Sequence, residues 1–205
     1  MMPVIAVWSA WAALMTALCV STFFESTVGG VHLPYMVCYF LPVVVLMSLF
    51  LASARLREWM LGLDTRLLMV AHCGRFAAFG FLMLTAYGLT SAKWAIPTAL
   101  GDLISAMALP TLAVIGFRRG SLSRSVIRFW NVFGLLDFVQ AFTLIVLLLP
   151  SPIGLLAGPS APTNASLVLT FPLNVIPIVF VPILFSAHLV ALLQLRGKPE
   201  NVVFD

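Results

Sequence analysis

At 205 residues, 62% hydrophobic and only 9% charged, with a mean hydropathy of +1.11, the chain has too little polar surface to cover a soluble globule, for which about 25% charged residues is usual. The net charge of +4 requires no nucleic acid partner, since no basic patch with interleaved aromatic residues occurs and basic side chains at a membrane surface meet anionic headgroups. The chain therefore reads as a single integral-membrane domain over residues 1–205 whose first partner is the lipid bilayer, and any site it carries must lie among its helices.

Six apolar stretches follow one another at roughly 4–24, 34–53, 68–89, 96–117, 129–149 and 168–195, each near or above the ~20 residues a helix needs to cross hydrocarbon. The predicted fold is an all-α, six-span transmembrane bundle. The first stretch has no Lys or Arg before it and no small-x-small site before Glu25, so it reads as an uncleaved span and not as a signal peptide. Between the second and third, Leu56, Met60, Leu63 and Leu67 recur at helical spacing while Arg55, Arg57, Asp64 and Arg66 take the other faces. That pattern predicts a short amphipathic helix in the membrane interface, with Trp59 at headgroup level. The loop at 150–167 is rich in Pro, Gly, Ser and Ala, is uncharged, and contains the tripeptide Asn164-Ala165-Ser166, an N-glycosylation pattern. The last span carries Pro172, Pro177 and Pro182 at intervals of five, which predicts a kinked or partly unwound helix. Cys19, Cys38 and Cys73 fall in three different spans, where a thiol behaves as a small hydrophobe, so no disulfide framework is expected.

The basic residues set the orientation. Arg55, Arg57 and Arg66 occupy one gap, Arg118, Arg119, Arg124 and Arg128 another, and Arg196 and Lys198 the tail, whereas the intervening gaps hold only Lys93. Because basic residues stay inside, this map predicts both termini in the cytoplasm.

Three charges remain within the apolar stretches: Arg75, Asp102 and Asp137. A charge in hydrocarbon costs at least about 2.5 kcal/mol even on insertion scales, so each calls for a partner or a purpose. Arg75 and Asp137 both lie about seven or eight residues, or ~10–12 Å, from the cytoplasmic ends of their spans, which predicts an ion pair in the inner leaflet. His72 precedes Arg75 by three residues, Asn131, Gly134 and Asp137 share a face of the fifth span with Gln140 continuing the strip, and His188 lies at similar depth in the sixth. A ligand-binding cluster of His72, Arg75, Asn131, Asp137 and His188 is thus expected. Asp102 counts about six residues down from the external side, which assigns it to a separate outer-leaflet polar site near Lys93, Glu25, His32 and Asn174, among the small residues Gly101, Ser105, Ala106 and Ala108.

Several uses fit such a cluster. It can be an interhelical hydrogen-bond network that holds the third, fifth and sixth spans together. It can bind or pass a small polar or amphipathic ligand, with Arg75 on an anionic group and a histidine as a proton-responsive partner. It can hold haem, with His72 and His188 as axial ligands. A fourth reading makes the chain a stabilising subunit of a membrane complex or a homo-oligomer. No His-Glu-x-x-His pair, Gly-x-Ser-x-Gly elbow, phosphate-cradling loop or Cys-x-x-Cys pair occurs, so no catalytic motif supports an enzyme.

The segment FPLNVIPIVFVPIL followed by FSAHLVALLQLR, together with Arg75, the GDLISA segment around Asp102 and the WN opening of the fifth span, resembles a family of small uncharacterised bacterial multi-pass membrane proteins. The likeness runs from the third span onward. It implies a bacterial inner-membrane location and brings no reaction, substrate or cofactor with it.

Overall fold

The computed structural model describes residues 2–159, 163–196 and 201–203. Lys198 and the part of the Pro-rich loop at 160–162 lie outside them. Among the described residues five segments are long and apolar enough to cross a membrane. These are α2 (Leu33–Ala52), the compound third span Thr65–Ala86, α6 (Ala92–Arg119), α7 (Arg124–Leu148) and the last span Ile176–Gln194. A further helix, α1 (Met2–Val20), precedes them and rests on the bundle through Met15 and Cys19.

Polarity is partitioned inside out. Leu41, Val44 and Leu49 of α2, Met107 and Phe117 of α6, and Leu136 and Val139 of α7 point outward, while His72, Arg75, Asp102, Ser105, Asn131, Asp137, Asn174 and His188 are buried. A water-soluble protein shows the reverse; a bilayer solvates the apolar exterior and forces the polar groups to find one another. Cys19, Cys38 and Cys73 are free thiols, Cys19 buried and Cys73 exposed.

Two spans depart from regular α-helix. The third runs as α4 (Thr65–Val70), a 3-10 stretch over Ala71–Ala78 and α5 (Phe79–Ala86). In a 3-10 helix residues i and i+3 eclipse, and accordingly His72, Arg75 and Ala78 are all buried while their neighbours are exposed. The last span starts later than the apolar run suggests. Residues 171–174 form turns, Ile176–Phe180 a π-helical turn, and only Val181–Gln194 a regular helix, α8. Pro177 sits in the first turn of its element, where a missing N–H costs least, whereas Pro182 falls at the change from the π-helical turn to α8. Asn174, fully buried, donates through Nδ2 to the carbonyls of Cys19 (3.0 Å) and Leu169 (2.9 Å), so the unwound segment finds its hydrogen bonds inside protein as the membrane requires.

The amphipathic helix forms as α3 (Ala54–Leu61), with Leu56, Trp59, Met60 and Leu63 packed on the core and Arg55, Arg57 and Glu58 exposed. Leu67 does not join them; it belongs to α4 and is exposed, because the chain restarts at Asp64, whose carboxylate accepts from the Arg66 backbone N–H (2.8 Å) and caps the new helix. The strictly all-α expectation needs one correction. Ser121–Ser123 (β1) pairs antiparallel with Asn201–Val203 (β2), so the tail returns to the loop between α6 and α7 as a short ribbon.

These contacts sort the connections into two ends. At one, Gln194 shares its side-chain N–H groups among the carbonyls of Met60 (3.4 Å), Leu61 (3.3 Å) and Leu63 (2.7 Å) and accepts from the Thr65 hydroxyl (2.8 Å). The β ribbon and Arg66 over the Phe117 ring close the same end. At the other, Ser91 donates to Asn164 (3.2 Å), Ala165 to Leu148 (2.9 Å), and Asn174 to Cys19. The Asn164 side chain is itself consumed, accepting from the Ser166 N–H and hydroxyl and donating to Gly158, so glycosylation there would require the loop to open.

Replacing Gln194 with Leu is expected to destabilise the protein by about 1–3 kcal/mol, because the buried Met60 carbonyl, the part-buried Leu61 and Leu63 carbonyls and the Thr65 hydroxyl lose their partner at once. Unfolding in mixed detergent measures this; an unchanged midpoint would mean that the latch holds nothing.

Candidate functional site

The polar residues meet midway along the bundle. Arg75 of the 3-10 stretch donates through Nε to Asp102 Oδ1 of α6 (2.6 Å), through Nη2 to Asp137 Oδ2 of α7, and through Nη1 to His188 Nε2 of α8 (3.2 Å). Its guanidinium also lies over the Phe138 ring, 4.1 Å from the centroid, a favourable cation–π arrangement in a desolvated site. One side chain thus joins four elements. His188 passes the chain of bonds onward, its Nδ1 lying 2.9 Å from Asn131 Oδ1, and Asn131 Nδ2 donates to the Ile127 carbonyl (2.8 Å).

The directions of these bonds fix a tautomer. Arginine has no acceptor, so His188 Nε2 must accept, which leaves the proton on Nδ1 and makes Nδ1 the donor to Asn131. The imidazole is therefore neutral. His72 stacks on it with ring centroids 3.9 Å apart and planes 25° from parallel, and neither His72 nitrogen has a hydrogen-bond partner.

Two glycines make the convergence possible. A Cβ on Gly101 would overlap the Asp137 carboxylate, and one on Gly134 would overlap the His188 ring. Close helix contact at small residues is the usual way for membrane helices to bring polar groups together.

All five residues expected in the cluster, His72, Arg75, Asn131, Asp137 and His188, are in it. Two expectations are corrected. Asp102 does not form a separate outer-leaflet site: α6 begins at Ala92, four residues before the apolar run suggests, so Asp102 lies ten residues inside its helix and reaches Arg75. Nor do Arg75 and Asp137 lie only seven or eight residues from the ends of their helices. Arg75 is ten residues from Thr65 and eleven from Ala86, and Asp137 thirteen from Arg124 and eleven from Leu148, which is the middle of both spans. Gln140 is exposed because nine residues at about 100° each carry it half a revolution from Asn131. Phe138 and Tyr39, whose hydroxyl donates to the Phe138 carbonyl (3.1 Å), escaped the sequence reading, since aromatic residues on apolar helices carry no distinguishing signal.

The histidines do not fit haem. Axial ligands must point nitrogens at each other across a macrocycle, whereas these rings stack face to face and both His188 nitrogens are engaged. The described residues also contain no group of three or more His, Cys, Asp and Glu arranged to hold a metal ion.

A cavity of about 70 Å³ adjoins the cluster. Arg75 and Asp102 form its polar floor, Phe138 and Leu184 its walls, and Gly74, Ala77 and the half-exposed Phe180 its rim. Because Gly74 and Ala77 lie on the outer surface midway along the third span and Phe180 faces outward from the last, the cavity opens sideways, between the third and last spans. Asp102 is the most exposed of the charged members: its side chain is 12% exposed, against 1% for Arg75 and 3% for Asp137.

Gly101→Ala and Gly134→Ala are each expected to cost about 1–3 kcal/mol through overpacking, while Gly80→Ala, with open space around its Cβ position, serves as a neutral control in the same unfolding assay. Arg75→Met leaves two buried carboxylates without their cation and is expected to cost about 3–5 kcal/mol. Asp137→Asn costs less, because Asp102 stays on Arg75. If Asp137→Asn proves as damaging as Arg75→Met, Asp102 does not compensate the guanidinium.

No curated protein and no solved structure matches the chain. One family model does, over residues 33–196, a span that omits α1 and contains every member of the cluster. The chain belongs to that family, described as a domain of unknown function (DUF8737).

Proposed function

We propose that this is a six-span protein of the bacterial cytoplasmic membrane, with both termini inside, which binds a small amphipathic ligand at the Arg75 cluster for passage or presentation. The sixth span is α1, whose 19 residues rise about 28 Å as a helix. Support for the orientation comes from the gathering of Arg66, the α6–α7 loop and the returning tail at one end of the bundle, with Lys93 at the other and basic residues preferring the cytoplasm. Fusing a periplasm-active reporter to residue 198 and to residue 91 tests this: the first is expected silent and the second active, and the opposite pattern reverses the topology.

The observation that carries the ligand reading is the sideways cavity with its polar floor and apolar rim. An amphiphile can enter such a cleft from the bilayer, its tail against Phe180 and Leu184 and its head on Asp102. The head is a cation. Arg75 is already engaged with Asp102, Asp137 and His188, and a third anion would join two carboxylates around one guanidinium, where like charges repel.

Thermal unfolding of protein in lipid nanodiscs, with decylammonium, decanol and decanoate added in turn, distinguishes the alternatives. Decylammonium is expected to raise the midpoint most, and Ala77→Trp, which fills the mouth, to abolish the rise. Equal stabilisation by decanoate, or a rise that survives Ala77→Trp, would sink the proposal.

A further inference from the structure

We propose that the Arg75 cluster is also a proton site: without ligand its two carboxyls hold one exchangeable proton between them, and a cationic head entering at Asp102 takes that proton's place. The exchange step rests on the ligand reading above; the proton itself does not.

The charges around the site do not balance. The groups facing it are Arg75 and His72 from the 3-10 stretch, Asp102 from α6, Asp137 from α7, His188 from α8 and Tyr39 from α2. Tyr39 has committed its hydroxyl to the Phe138 carbonyl, and His188 is neutral by the bond it accepts from Arg75. A protonated His72 would bury two N–H groups with no acceptor, since neither nitrogen has a partner, and would set a second cation one helical turn from the guanidinium. One positive and two negative charges therefore remain, leaving one negative charge too many in a site where an uncompensated charge is expensive.

A second observation points the same way. Asp137 is 5% exposed, yet its Oδ1 is buried with no donor. An anionic oxygen left bare is far less tolerable there than the hydroxyl of a neutral acid. A proton resolves both the excess charge and the bare anion, whereas a hard metal cation asks for several oxygens at once and Asp137 offers one. The proton also has access to the surface, since Asp102 adjoins the cavity whose lining includes the exposed Gly74 and Ala77.

The exchange conserves charge. The O–H bond of the carboxyl breaks as the ammonium head arrives, the proton leaves to water, and the net charge of the occupied site is unchanged. Binding such a ligand from one side and a proton from the other is the elementary step of proton-coupled exchange across a membrane.

Infrared spectroscopy of protein carrying [4-13C]aspartate in nanodiscs tests this directly. Asp64, outside the spans, makes no acid band at neutral pH, because its side-chain hydrogen bonds with Arg66 hold the carboxyl below the usual range. We expect a label-sensitive carboxylic acid C=O band at neutral pH that fades on alkalinisation and is missing from both Asp102→Asn and Asp137→Asn. Decylammonium is expected to bleach it and release one proton per bound amine into a weakly buffered medium. Should either variant fail to fold, the isotope shift and the alkaline fading in the unaltered protein still decide the matter. Absence of the band from ligand-free protein overturns the proton site, and amine binding without bleaching overturns the exchange. A band that persists while decylammonium fails to bind supports the proton site and overturns the ligand reading together with the exchange built on it.

Discussion

A single guanidinium in the middle of the bundle decides how the helices are arranged. In lipid the apolar faces of helices are nearly interchangeable, because packing Leu against Leu differs little from packing Leu against an acyl chain. Such faces make a bundle but do not choose its rotations. Arg75 does choose them, since it must satisfy its charge on Asp102 and Asp137 and its remaining N–H on His188. Each partner lies on a different helix, so the rotation and register of four segments follow from one residue. Gly101 and Gly134 are consequences of the same demand, as any larger residue would overlap the groups that Arg75 holds.

The local helix type follows from it as well. In an α-helix the step from His72 to Arg75 and the step from Arg75 to Ala78 would each leave about 60° of rotation between them. The 3-10 geometry removes that offset, and all three point inward. An eight-residue 3-10 run is long for a form that usually stops after three or four residues. Its inward face carries the bonds of Arg75 to Asp102, Asp137 and His188.

How much of this was legible depended on what each signal measures. Hydropathy located four of the five described spans to within about five residues, because a span is defined by composition, but placed the start of the last one eight residues early. Arg66, the α6–α7 loop and the end of the last span lie at one end of the bundle. Depth was less legible. It was counted from the edges of apolar runs, and α6 runs on through Lys93 and Arg119 at its two ends, so Asp102 was counted four residues too shallow and assigned to another layer. Helical phase failed in the same way at Gln140, where a spacing of three, followed for nine residues, ends on the opposite face. Phe138 and Tyr39 were invisible for a different reason: their roles arise from where neighbouring helices put a cation and a carbonyl, which no local pattern records.

The position of the cavity follows from these irregularities. Its two sides are the 3-10 stretch, carrying Gly74, Ala77 and Ala78, and the π-helical turn, carrying Ile176 and Phe180. A 3-10 helix is narrower than an α-helix and a π turn wider, so side chains from one cannot interdigitate with the other at a common repeat. Small residues on the narrow side leave the gap unfilled. The prolines that prevent a regular helix at Ile176–Phe180, and the arginine that imposes the 3-10 form opposite, thus act at the same height. The cleft opens beside the one buried cation of the described spans, where the two irregular segments face each other.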